Sequence, residues 1–323
     1  FGAVHHPVGR RPVRGGWLHH LVAQQLPGTR HGQLLRYQVV QPSTSDGATT
    51  YRVMYRSESV EGDPIAVTGT VLVPDSPAPV GGRRLLTLAH GTTGIADSCA
   101  PSKVPGSELF LVGPAVRDGW LIAMSDYEGL GTPGRHPYLV GESEGRSVID
   151  AILAAGELPD ADPGSDLAIA GYSQGGHGAL WANQVAGAWA PDLHVVGTFA
   201  GAPATEMDVI LAAAPSLPVL SGFAYLIVAG FQAAYPDADP SQYLTDAGMA
   251  RLDEVDKGCV ADVIKAFAGS KDLVRPGAMS SGPWLDLAKE NNPGNVKTAA
   301  PILIIHSQGD EVVPVALSEL LLT

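Results

Sequence analysis

The sequence predicts an α/β fold in which a mostly parallel central sheet carries an inserted helical cap. Three observations predict it: short apolar runs bounded by Gly and Pro, helical patterns between them, and a long interruption before the last run. Residues 1–48 show no clean periodicity and are expected to form an N-terminal arm. Over 50–57 and 65–73, β-branched and aromatic residues alternate or cluster between turn residues, which reads as an antiparallel strand pair. Residues 85–89, 120–124, 167–170, 194–199 and 301–305 are apolar runs too short for helices. Such runs suit strands buried on both faces of a parallel sheet. Between them, residues 142–158 place Val148, Ile149, Ile152 and Leu153 on one helical stripe, and 175–189 continues directly from a strand. Strands alternating with helices imply right-handed crossovers. The alternation stops after Gly201, so the expected organisation is an arm over 1–48, a core over 49–204 and 299–323, and a helical cap over 205–298.

Composition narrows the function. Hydrophobic residues make up 45% and charged residues 16%, a globular balance. A formal charge of −13 argues against a nucleic-acid partner, which would need clustered Lys and Arg to neutralise phosphates. The one basic stretch, Arg10, Arg11, Arg14, Arg30 and Arg36, precedes the first acidic residue, Asp46, and reads as a solvated arm. The longest uncharged run, 209–236, is interrupted by Pro215 and Pro218, which favours a buried or cap helix over a membrane span. Cys99 and Cys259 are too far apart for a CxxC motif. Spacing alone leaves two buried thiols and one disulfide equally open. No histidines show metal-ligand spacing, and neither a metal nor an organic cofactor is implied.

The strongest local signal is the strand at 167–170 running into Gly171-Tyr172-Ser173-Gln174-Gly175. A G-x-S-x-G bend between strand and helix needs small residues on both sides of the serine, because the turn is strained and crowded. It pushes the serine out at the head of a helix, where free amides favour developing negative charge. The expected fold is therefore an α/β-hydrolase fold with Ser173 as nucleophile. Oxyanion donors are expected from the Gln174 amide and from Gly91 or Thr92, in the Gly-rich loop after the 85–89 strand. Asp310, in the loop after the 301–305 strand, is the expected triad acid, with Glu311 as its neighbouring alternative.

Together with Ser125-Asp126-Tyr127-Glu128-Gly129-Leu130-Gly131, the stretch Asp97-Ser98-Cys99-Ala100-Pro101-Ser102 and the run from His306 to Pro314, these motifs resemble the secretory lipase family from about Tyr51 onward. The resemblance implies a lipase or carboxylesterase that is secreted or associated with the cell envelope, with a helical lid inserted after the sixth strand. It also implies a Cys99 to Cys259 disulfide tying the oxyanion-side loop to the lid, and structural rather than catalytic roles for Asp126 and Glu128.

In one respect the sequence departs from the family. The triad in this fold runs Ser, acid, His along the chain, yet no histidine follows Asp310. The base is expected beyond Thr323, the C-terminal end being incomplete. His90, His177 and His306 are expected to be structural. A serine hydrolase without its base loses about six orders of magnitude in turnover, so residues 1–323 alone are expected to be nearly inactive. In the cap, Phe223, Ile227 and Phe231 recur at helical spacing on a segment apolar all round. Core packing and an acyl pocket or interfacial lid explain that pattern equally well. The expected partner is a lipid-like ester, with transient contact between cap and lipid interface. The rival readings are an esterase or acyltransferase for short, bulky or polymeric esters, and a non-catalytic binding protein on the same fold.

Overall fold

In a computed structural model, the structure describes residue 26 and residues 28–41, 47–104, 109–217, 220–298 and 300–322. Eight strands form one sheet: β1 (Leu34–Gln41), β2 (Ala48–Glu58), β3 (Pro64–Pro74), β4 (Arg83–Ala89), β5 (Leu121–Ser125), β6 (Pro163–Tyr172), β7 (His194–Gly201) and β8 (Ile302–Ile305). Their order is β1-β2-β3-β5-β4-β6-β7-β8. β2 and β3 pair antiparallel without a register break, from Ala48 opposite Pro74 to Glu58 opposite Pro64. From β5 across to β8 every neighbour is parallel. The parallel centre is buried on both faces, and Leu85, Leu121, Ile122 and Leu167 are all nearly inaccessible. That burial is why these strands read as continuous apolar runs; the expectation of two-face burial fails for β7 and β8, where Phe199, Leu303 and Ile305 are exposed at the end of the sheet.

Among the described residues, three α-helices connect these central strands, and α2 and α3 shape the site. α1 (Leu109–Arg117) precedes β5, α2 (Gly141–Ala155) follows it, and α3 (Gln174–Trp189) leaves β6 with no linker beyond Ser173. α2 and α3 lie in close contact because glycines line their seam. A Cβ on Gly141 would fall 1.9 Å from the Trp181 ring, and one on Gly145 would fall 2.9 Å from the Trp181 carbonyl carbon.

Two sequence expectations change. Leu34–Gln41 belongs to the sheet as edge strand β1, not to an arm. Its alternation is blurred because an edge strand is only half covered, and bulges interrupt its pairing with β2. This extra strand also shifts the count, so the insertion follows the seventh strand rather than the sixth. Arg10, Arg11 and Arg14 lie outside the described residues, while Arg30 pairs with Glu157 at 2.6 Å.

Between β7 and β8 the chain forms α4 (Met207–Ala213), α5 (Ser221–Ala234), α6 (Asp246–Met249), α7 (Val260–Phe267) and α8 (Pro283–Glu290). α9 (Val315–Leu321) follows β8. Among the described residues, no helix is long and apolar enough to cross a membrane. α5 is apolar all round because it is the hub of this region: Tyr225 stacks on Phe267 at 3.9 Å and Phe231 lies over Trp284 at 6.1 Å. Ile227 and Phe231 are fully buried and Phe223 is half-buried against the same cluster. In this structure Ile227 and Phe231 pack into the core of the helical region between β7 and β8 and do not form an exposed surface.

Cys99 and Cys259 form a disulfide with their Cα atoms 5.5 Å apart. Beside it the Val260 amide donates to the Thr93 carbonyl at 2.8 Å. A Cβ on Gly94 would meet the Cys259 Cα at 3.0 Å. The loop after β4 is thus fixed to the start of α7. Closing so long a loop restricts the unfolded chain, and Cys259→Ser is expected to lower stability by about 2–4 kcal/mol. Urea unfolding of the oxidised wild type and the variant measures the difference.

Candidate active site

Ser173 sits between the last residue of β6 and the first of α3 with φ 57° and ψ −121°. A side chain in this left-handed region is strained and persists only where its surroundings enforce it. Here the surroundings are backbone. A Cβ on Gly171 would fall 1.8 Å from the Gly175 oxygen, and a Cβ on Gly175 would fall 2.0 Å from the Ala89 oxygen. The Ser173 amide donates to Gly201 O at 2.9 Å, and its carbonyl accepts from His177 N and Ala204 N, each at 3.2 Å. The backbone of position 173 is therefore locked while the residue keeps partial access to solvent.

Gln174 follows as the first helical residue, so its backbone N–H has no acceptor one turn back within the helix. Gly91 approaches from the loop after β4. A Cβ there would lie 3.8 Å from the Ser173 Cβ and 3.4 Å from Tyr172 O. Thr92 follows, its hydroxyl sharing a 2.7 Å hydrogen bond with the Tyr138 hydroxyl. Ser173, Gln174 and the 91–92 backbone thus come together.

Asp310 lies in the loop after β8, two strands from β6 at the same carboxyl edge. The ends of the three strands are stitched together, because Ala202 N donates to Ile305 O at 2.8 Å. Oδ1 of Asp310 accepts from the Val312 and Val313 amides, both at 2.9 Å, which fixes the carboxylate. Glu311 is exposed. Asp126 accepts from the Thr68 hydroxyl at 2.6 Å, from the Ser102 amide at 2.8 Å and from the Ser102 hydroxyl. Glu128 accepts from the Ser143 hydroxyl at 2.5 Å, and burial raises its carboxyl pKa. Both carboxylates brace loops.

The interior histidines are engaged through both ring nitrogens. His90 bonds to Gly91 O and Asp126 O, and His306 to the Ser318 hydroxyl and Val313 O. His177 bonds to Glu144 at 2.7 Å and to Asn291 O at 2.8 Å. His136 bonds to Glu128 O at 2.8 Å and to the Gln174 side chain at 2.9 Å. Sequence reasoning missed His136, Glu144 and Asn291. One signal was present: Glu144 stands one helical turn before Val148 and two before Ile152, a polar residue on a core stripe.

Burial pulls the His136 imidazole down from 6.5 to about 4. The folded chain leaves this ring neutral where the unfolded chain protonates it, so its contribution to stability is full above about pH 6.5 and is lost as pH falls toward 4. Urea unfolding at pH 7 and pH 4 is expected to show an acid loss that is smaller by about 3 kcal/mol in His136→Gln than in the wild type. At the bend, Gly175→Ala is expected to cost at least roughly 1–3 kcal/mol by overpacking, read from the same unfolding curves.

A family model described as secretory lipase matches residues 100–321. A probable inactive lipase of Mycobacterium tuberculosis is 27% identical over 292 residues, covering 83% of this chain and 64% of the relative. Lipase A of Moesziomyces aphidis is 26% identical over 280 residues, covering 82% and 56%. The chain therefore spans less than two thirds of the length of these relatives. Among solved structures, the closed state of Candida antarctica lipase A matches with a TM-score of 0.75 at 23% identity, covering 91% of this chain and 74% of that one. A rice cell wall degrading esterase from Xanthomonas oryzae matches at 0.76 and 22%, covering 90% and 87%. At these identities the two structures establish the α/β-hydrolase fold.

Proposed function

This chain belongs to the secretory lipase family, and from that premise we propose that it is a secreted serine carboxylic ester hydrolase acting on lipid or other hydrophobic esters. The Ser173 hydroxyl attacks the ester carbonyl and forms an acyl-enzyme, which water then cleaves. The amides of Gln174 and of Gly91 or Thr92 receive the oxyanion of each tetrahedral intermediate. Asp310 orients the histidine that takes and returns the proton. That histidine is read as one outside the described residues: His90, His136, His177 and His306 have no ring nitrogen to spare, His194 begins β7 at the end away from the bend, and His31 packs on Trp189 at the far end of α3. The observation that carries the reading is the bend itself: a partly accessible serine at positive φ, at the head of a helix, with Gly91 against it. The disulfide fits an oxidising, extracellular setting.

A non-catalytic reading draws on the same engaged histidines and on the relative named a probable inactive lipase. Fluorophosphonate labelling of the full-length protein separates the two. Labelling that Ser173→Ala abolishes is expected, and a wild type that does not react would leave the binding-protein reading standing. In a p-nitrophenyl ester series, turnover is expected to favour medium and long acyl chains, and a preference for acetate alone would count against a lipid substrate. Asp310→Asn is expected to lower kcat by roughly 10⁴-fold, while Glu311→Gln leaves it near wild type.

A further inference from the structure

Beneath the bend, the Gln174 side chain is 1% exposed and Glu144 is fully buried. The Gln174 amide nitrogen donates to Glu144 Oε1 at 2.8 Å and to His136 Nε2 at 2.9 Å. Both of its hydrogens are thereby used, which requires His136 to carry its own proton on Nδ1, where it donates to Glu128 O. The Gln174 oxygen is buried with no partner. An unpaired buried acceptor is costly, yet turning the amide over would set that oxygen against a carboxylate. Glu144 therefore dictates which way the Gln174 side chain faces.

Glu144 is itself held. The Leu139 amide donates to Oε1 at 3.1 Å, and His177 Nδ1 lies 2.7 Å from Oε2. The Asn291 carbonyl can only accept, so His177 Nε2 is a donor. Gln174 and His177 are three apart on α3 and so present to one face, over Glu144 of α2.

We infer that Glu144 is a positioning residue for the oxyanion: by holding the Gln174 side chain, it aims the Gln174 backbone N–H. The inference rests on reading Ser173 as the nucleophile and Gln174 as an oxyanion donor. The Gln174 N–H shares a peptide plane with the Ser173 carbonyl, which accepts from His177 N and Ala204 N at 3.2 Å each, and the anchored side chain restrains the other side of that amide, at the Gln174 Cα. Glu144→Gln keeps the size but replaces the carboxylate with an amide that no longer prefers one orientation of its neighbour.

The test is steady-state hydrolysis of p-nitrophenyl butyrate by the full-length protein, with Ser173→Ala as control. Glu144→Gln is expected to lower kcat about 10- to 100-fold, below the loss for deleting a donor outright, with KM within about threefold. Gln174→Leu keeps the backbone N–H, loses the anchor and is expected to match it. In the double variant the two losses are expected not to multiply. Wild-type kcat in Glu144→Gln, or losses that multiply, overturns the inference while leaving the nucleophile intact. A wild type without turnover that depends on Ser173 overturns both. Should Glu144→Gln fail to fold, Gln174→Leu decides alone, and an unchanged kcat there overturns the inference.

Discussion

Crowding between backbones at the β6–α3 bend governs this molecule. Gly171 faces Gly175, Gly175 faces Ala89 and His90, and Gly176 faces Pro203, each at distances no side chain tolerates. β4, β6 and the segment after β7 are thereby drawn together at one edge of the sheet. The positive φ at Ser173 follows from that closeness, as does the nearness of Gly91. These backbone contacts hold the bend, and Ser173 stays partly open to solvent within it.

Among the described residues, three sets of contacts between the helical region that follows β7 and the rest of the chain bear on the arrangement at this edge. The disulfide and the Val260 to Thr93 hydrogen bond hold the start of α7 to the loop after β4. Arg135 reaches Asp256 at 2.5 Å and Gln232 at 3.1 Å. Asn291, at the end of α8, accepts from Gly141 N through its side chain and from His177 and Trp181 through its carbonyl. The first and third attachments bear directly on the oxyanion-side loop and on the helix that starts at Gln174.

How much of this was legible in the sequence follows from how local each feature is. β4, β5 and β6 are largely buried on both faces and announce themselves as apolar runs, whereas β8 is as apolar in sequence yet leaves Leu303 and Ile305 exposed. The bend is legible because its glycines and serine stand within five residues. β1 is not, since an edge strand with bulges carries only a faint alternation. The 220–234 segment was ambiguous because a helix apolar all round looks the same whether it packs in a cap or faces lipid. Nothing near Gln174 in the chain announces Glu144, His136 or Asn291 as its surroundings. They converge only when α2, α3 and α8 pack, and a single sequence records such tertiary partners weakly.

Stability does not account for the polar group under the bend. Burying a carboxylate beside an imidazole costs several kcal/mol of hydration before their attraction offsets it, and apolar residues of similar volume commonly hold a fold at least as well. A neutral histidine with a depressed pKa and an orphaned glutamine oxygen add to the cost. What apolar packing lacks is direction. A carboxylate flanked by three donors distinguishes the nitrogen of an amide from its oxygen, and so fixes the rotation of Gln174 at the one residue that joins the strained serine to its helix. A polar cluster in that place makes physical sense when orientation at the helix head matters more than the energy lost in burying it.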